Sequence, residues 1–129
     1  DSSGNAEWRQ GYLRARGPKF AVMTGHAPSL TQALGEGCAG AVLAAACVAP
    51  RLAVSVAAAC GLGHPEDGAA AQNGLRRLAM EVAAVYSVPG LKAAVDAAGM
   101  HGGPPRSPLL PVSDDARAVI AGIVAEVLA

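Results

Sequence analysis

The strongest constraint on this chain is how few strand-like segments it holds. Two runs, at residues 19–24 and 40–47, are short, apolar and closed off by Gly and Pro. The first follows Gly17-Pro18 and ends at Gly25. The second lies between a Gly-rich entry and Pro50. In the second run period alone does not separate buried strand from buried helix, and alanine favours helix locally. Gly and Pro leave too little room for a normal helix there, so the run is read as a strand. Helical patterns separate the two, which predicts βα units and parallel pairing. A parallel pair must be buried on both faces, and alone it leaves its edges open. The two strands therefore read as part of a larger sheet.

Asn5 is a natural N-cap for a first helix, on which Trp8 and Tyr12 share a face, and Gly17-Pro18 stops it. Pro28 suits the first turn of a short helix carrying Leu30, Ala33 and Leu34, ended by Gly35 or Gly37. Pro50 opens another helix, with Leu52, Val56 and Cys60 at i,i+4 spacing and a Gly61-Leu62-Gly63 close. Residues 63–129 read as helix only. Pro65, Glu66 and Asp67 make a helix start, with carboxylates near the positive dipole end. Leu75, Leu78, Ala79, Val82, Val85 and Tyr86 follow with helical period. Val88-Pro89-Gly90 breaks that helix, a short one over residues 91–98 ends at Gly99, and residues 102–111 form a Pro-rich loop. Ser113 caps the last helix. Its apolar face is Val119, Ile120, Ile123, Val124, Val127 and Leu128.

Composition removes several function classes. With 52% hydrophobic and 16% charged residues the chain is globular rather than disordered. Its net charge is zero and no Lys/Arg cluster stands out, so nucleic acid is not an expected partner. No apolar run reaches the roughly 20 residues of a membrane span, so no membrane is expected. Cys38, Cys47 and Cys60 form no CxxC pair and read as packed small residues in a reducing, cytoplasmic setting. His26, His64 and His101 lie far apart, and no metal site is expected.

Four stretches then carry a resemblance. Asp1-Ser2-Ser3-Gly4-Asn5 resembles the segment after the Schiff-base lysine of pyruvate aldolases, where the family reads Lys-Asp-Ser-Ser-Gly-Asp or a near variant. Thr24-Gly25-His26 resembles the turn after barrel strand seven. The run from Gly40 to Pro50 is similar to strand eight, commonly Gly-Val-Ile-Ser-Val-Thr-Ala-Asn-Val-Ala-Pro. Val88-Pro89-Gly90-Leu91-Lys92, with Gly103-Pro104-Pro105-Arg106-Ser107-Pro108-Leu109, resembles the C-terminal helical region, most of all in the 4-hydroxy-2-oxoglutarate aldolase branch. In order and spacing they resemble the dihydrodipicolinate synthase / N-acetylneuraminate lyase family over essentially the whole chain.

The resemblance implies an α/β fold: the C-terminal part of a (β/α)8 TIM barrel, with its last two strands and their helices, plus a small helical appendage. A closed barrel needs about 250 residues, roughly twice this length. Residues 1–62 are expected to supply the barrel portion, from after strand six through helix eight, and residues 63–129 the helical region. The implied chemistry is that of a class I aldolase, a lyase in which a lysine condenses with pyruvate or another short 2-oxo acid and the imine serves as electron sink. No cofactor or metal is implied beyond that covalent imine. Cleavage of a 4-hydroxy-2-oxoglutarate-like acid leads, with dihydrodipicolinate synthesis from pyruvate and aspartate semialdehyde second. A non-catalytic small-acid-binding barrel is the reading of another class, and an independent Ala-rich helical domain the plainest one. The family implies a homo-oligomer, tetramer or dimer.

The catalytic lysine is expected immediately before Asp1, so no catalytic residue lies in this chain. Lys19, at a strand start, and Lys92, in the helical tail, are poor substitutes. Either the chain is a fragment, or it is divided at a lysine carrying a covalent adduct. The second is preferred, because the break falls at the residue this chemistry modifies.

The resemblance implies substrate-binding roles for Ser2, Gly25, Val42 and His26. Ser2 would hold a carboxylate with nearby N–H groups, or else be a capping serine. Gly25 would let substrate approach the backbone, or be an ordinary turn glycine. Val42 would lie beside pyruvate through its backbone. His26 would recognise a distal carboxylate, or be a solvated loop histidine. Cys47 stands where the family has asparagine and is read as packed rather than reactive. Arg106 is read as an anchor of the Pro-rich loop. Ala27, Pro28 and Ala44 occupy positions that grip the polyhydroxyl chain in sialic-acid lyases and lack the groups to do so, which favours a small acid.

Overall fold

A computed structural model describes residues 1–129. Helix α1 (Ala6–Ala15) begins at Asn5, whose Oδ1 accepts the Trp8 N–H at 3.0 Å. Strand β1 (Met23–Thr24) leads through a 3₁₀ turn, Ala27–Ser29, into α2 (Leu30–Gly35). Strand β2 (Gly40–Ala41) leads through a second 3₁₀ turn, Ala44–Cys47, into α3 (Pro50–Gly61). The strands pair in parallel, Met23 with Gly40 and Thr24 with Ala41. This is the expected βα alternation, with two corrections.

The strands are shorter than the runs that predict them. Residues 44–47, read as strand, coil into the 3₁₀ turn instead. β1 has already turned away at Gly25, so the second strand has no ladder partner beyond Val42, whose N–H donates to Thr24 O at 2.9 Å. Cys47, read as packed, is exposed because it sits at the end of that turn; Cys38 is buried and Cys60 half-buried.

The tail is helical: a 3₁₀ turn at Pro65–Gly68, α4 (Ala69–Arg77), a π turn at Leu78–Ala83, α5 (Ala84–Ala97) and α6 (Asp114–Leu128). The break expected at Val88-Pro89-Gly90 begins one residue earlier, at Ser87 (φ 54°, ψ −151°). This backbone region is strained for any residue with a Cβ. Within the helical run Pro65–Ala97 an 18-residue window reaches a mean hydropathy of 1.3, long and apolar enough by that measure to cross a membrane, unlike the runs read from sequence. Ser87 kinks it, however, and Leu75, Leu78 and Val82 are fully buried along one face.

One cluster of 14 buried residues joins the two portions, from Ala27, Leu30 and Leu43 through Val56 to Leu75, Leu78, Val82, Ala94, Ile120 and Val124. Of the face read on α6, Val119 and Leu128 stay largely exposed, because the apolar stripe is wider than the contact it makes. A smaller cluster, Leu13, Val22, Ala33 and Cys38, ties α1 to the strands. Beside it Arg9, 1% exposed, grips Glu36 with two bonds, Nε to Oε2 at 2.7 Å and Nη2 to Oε1 at 3.1 Å. This bidentate contact fastens α1 to the end of α2. Chiefly through that bond, it holds the Glu36 carboxyl down at about 2.

Candidate active site

The site is built by strand register. The Asp1 nitrogen donates to Met23 O at 2.8 Å, and the Gly25 N–H donates to Asp1 O at 2.7 Å. Two bonds that straddle Thr24 in this way make a parallel pairing of Asp1 with Thr24. Asp1, Thr24 and Ala41 therefore share one level across three adjacent segments, and Ser2, Gly25 and Val42 share the next.

Pleating sends these levels to opposite faces. Val22, Thr24 and Leu43 are buried toward the helices. Met23 and Val42 look the other way, and Val42 is 74% exposed. Ser2 and Gly25 share that open face, because a Cβ on Gly25 would overlap Ser2 Oγ and stand only 3.2 Å from Ser2 Cα. Three of the four residues singled out in the sequence are thus brought to one level.

The loop around Ser2 is tied by its neighbours. Ser3 donates to Asp1 Oδ1 from its N–H at 3.0 Å and from its hydroxyl at 2.7 Å. The Asn5 N–H donates to Ser3 Oγ at 3.1 Å. The Ser2 hydroxyl and the N–H groups of Ser2 and Gly4 make no hydrogen bond within the chain. The loop thus offers unpaired donors beside the open face, which suits an anion.

His26 is half-buried. Its Nδ1 lies 2.8 Å from Ser29 Oγ, and its ring packs against the backbone of Gly4. The turn that carries it is held from the tail. Gln72 Nε2 donates to Ala27 O at 2.9 Å and to Pro28 O at 3.3 Å. Gln72 Oε1 accepts from the Thr31 N–H at 3.0 Å and hydroxyl at 2.9 Å. Sequence reasoning missed Gln72, Ser29 and the Arg9–Glu36 pair, since such partners are far apart or carry no motif.

Lys92 is occupied by Gly102 O at 2.7 Å. Lys19 precedes β1, at the end away from this level. Arg106, read as the loop anchor, is exposed and its guanidinium has no hydrogen-bond or ion-pair partner; the loop is held there by Arg106 O, which accepts the Leu109 N–H at 3.0 Å. No three His, Cys, Asp or Glu side chains converge as a metal site would require.

The model of the dihydrodipicolinate synthetase family matches residues 1–127. The chain belongs to that family. An uncharacterised DapA-like lyase of Halobacterium salinarum is 33% identical over 126 residues, 98% of this chain and 41% of that protein. A solved structure from Thermus thermophilus, provisionally named dihydrodipicolinate synthase, is 33% identical with a TM-score of 0.80, covering 98% of this chain and 44% of that one. The 2-keto-3-deoxygluconate aldolase of Sulfolobus, solved with D-KDPG, has a TM-score of 0.88 at 18% identity, over 99% of this chain and 44% of that one, and speaks for the fold alone. The chain thus spans less than half the length of these dihydrodipicolinate synthetase relatives, and forms part of a TIM barrel with its helical appendage. The level of Ser2, Gly25 and Val42 lies at the C-terminal ends of its strands, where TIM barrels keep their active sites.

Proposed function

We propose that the whole protein is a Schiff-base aldolase or lyase that makes or breaks a C–C bond in a short 2-oxo acid, with pyruvate as product or donor. The observation that carries this reading is the level of Ser2, Gly25 and Val42, with unpaired donors on Ser2 and Gly4 beside it. In this reading Ser2 and the loop N–H groups hold the substrate carboxylate. Gly25 leaves room for it, and Val42 lines it through the backbone. A lysine immediately ahead of Asp1 would stand at the level of Met23 and Gly40 and point to the same open face. Its neutral amine adds to the ketone, water leaves, and the imine nitrogen takes up a proton from solvent to become cationic. When the bond beyond the adjacent carbon breaks, the hydroxyl on the far carbon gives up its proton and that fragment leaves as an aldehyde. The electron pair passes to the imine as an enamine, which takes a proton and is hydrolysed to pyruvate and the free amine.

The side chains near the mouth favour a small acid. Ala27, Pro28 and Ala44 carry no side-chain group able to hydrogen-bond a sugar chain. A 4-hydroxy-2-oxoglutarate-like substrate leads on that ground, with the condensation of pyruvate and aspartate semialdehyde second.

Borohydride reduction of the full-length protein with pyruvate tests the reading. A mass gain of one reduced pyruvate, mapped to a lysine adjoining Asp1, is the expected result. No gain, with pyruvate bound at saturation, would leave a non-catalytic acid-binding barrel in its place.

A further inference from the structure

We propose that His26 is a positioning residue: its imidazole is a flat support beneath Gly4 that sets the crown of the serine loop, and it acts by shape rather than by charge. The inference rests on the aldolase reading only for the meaning of the loop, since the contact itself is structural.

The geometry is specific. Gly4 has φ +72°, the left-handed region that favours glycine. An L side chain there would place its Cβ 2.8 Å from Cε1 and Nε2 and 2.9 Å from Cδ2 of His26. The ring thus fills the space where a side chain would otherwise stand. The His26 backbone is held by the N–H bond to Thr24 Oγ1 at 3.2 Å, and its Nδ1 lies 2.8 Å from Ser29 Oγ on the same turn. On either side of Gly4 the loop is tied by Ser3 and Asn5, through Asp1 Oδ1 and Ser3 Oγ. Gly4 itself makes no hydrogen bond through its N–H. The direction of that free donor therefore depends on the ring beneath it.

A carboxylate-binding histidine and a supporting histidine predict different variants. In the full-length protein, His26→Ala removes the support and His26→Phe keeps a ring of similar outline without its nitrogens. His26→Ala is expected to raise KM for the 2-oxo acid about tenfold with kcat changed far less, roughly 1.4 kcal/mol of lost binding. His26→Phe is expected to stay within about threefold of wild type and to keep its pH profile of KM. Gly4→Ala should raise KM as His26→Ala does, and the double variant should cost less than the sum, because removing the ring relieves the overlap. If His26→Phe loses as much as His26→Ala, or the two changes simply add, the supporting role is overturned.

Amide exchange of Ser3 and Asn5, whose N–H groups donate to Asp1 Oδ1 and Ser3 Oγ on either side of Gly4, gives a readout that needs no catalysis. Faster exchange in His26→Ala, with His26→Phe unchanged, supports the inference; equal exchange in all three proteins refutes it. Failure of borohydride trapping in the wild type would overturn the aldolase reading, and the exchange result would still decide the role of His26.

Discussion

Gln72 offers a direct test of how the helical tail controls the turn behind the site. Its side chain makes four hydrogen bonds, two to Thr31 and one each to Ala27 O and Pro28 O. Gln72→Ala removes all of them. Ala27 O keeps its bond from the Leu30 N–H, and the Pro28 contact is the longest at 3.3 Å. The loss therefore falls mainly on Thr31, whose N–H is left without a partner. At about 1 kcal/mol net for each bond, and more for a donor left unsatisfied, the cost is about 2–3 kcal/mol. If local opening governs exchange, protection of the Thr31 amide in the full-length protein should fall about 30- to 150-fold. Gln72→Glu should be worse than Gln72→Ala, because an acceptor would then face two carbonyl oxygens where an NH₂ now donates. Hydrogen exchange resolved at residues 27–35 checks both. Protection within twofold of wild type in Gln72→Ala, or a Gln72→Glu protein as protected as wild type, would refute the clamp.

Two further outcomes follow from the same structure. Glu36 titrates at about 2, against about 4.3 for a free glutamate, so its ion pair stabilises the fold above the free value and is lost as pH falls from about 4.3 through about 2. Melting temperature should decline through that window, and less steeply in Glu36→Gln; equal slopes would remove the pair from the account. Gly25→Ala should leave the circular dichroism spectrum intact yet raise KM for the 2-oxo acid about tenfold, because its Cβ overlaps Ser2 Oγ and crowds Ser2 Cα at 3.2 Å. An unchanged KM would show that the serine loop does not hold the substrate.

Punctuation made the fold legible where it was legible. Gly17-Pro18, Gly25, Pro28 and Pro50 mark the ends of elements, and Asn5 and Ser113 both cap the helices that follow them. The end of the second strand carried no such mark. Ala44, Ala45 and Ala46 fit strand or turn equally, and only the departure of the neighbouring strand at Gly25 decides between them. The exposure of Cys47 was hidden for the same reason. The residues of the candidate level were visible one by one through motif order, but their alignment depends on hydrogen bonds between segments about 20 residues apart. Gln72 meets Thr31 across 41 positions, and Arg9 meets Glu36 across 27. No local pattern announces a pairing at such a distance.

The ladder that brings Ser2, Gly25 and Val42 abreast also limits how this part of the molecule can vary. Exchanging a side chain alters one point of the surface. Adding or deleting a single position between Val22 and Gly25, or between Gly40 and Val42, would invert the strand, so that what now faces the helices would face the mouth. Diversification here is therefore far freer in the identity of residues than in their number, and loop grafts aimed at new chemistry belong after His26 and after Leu43.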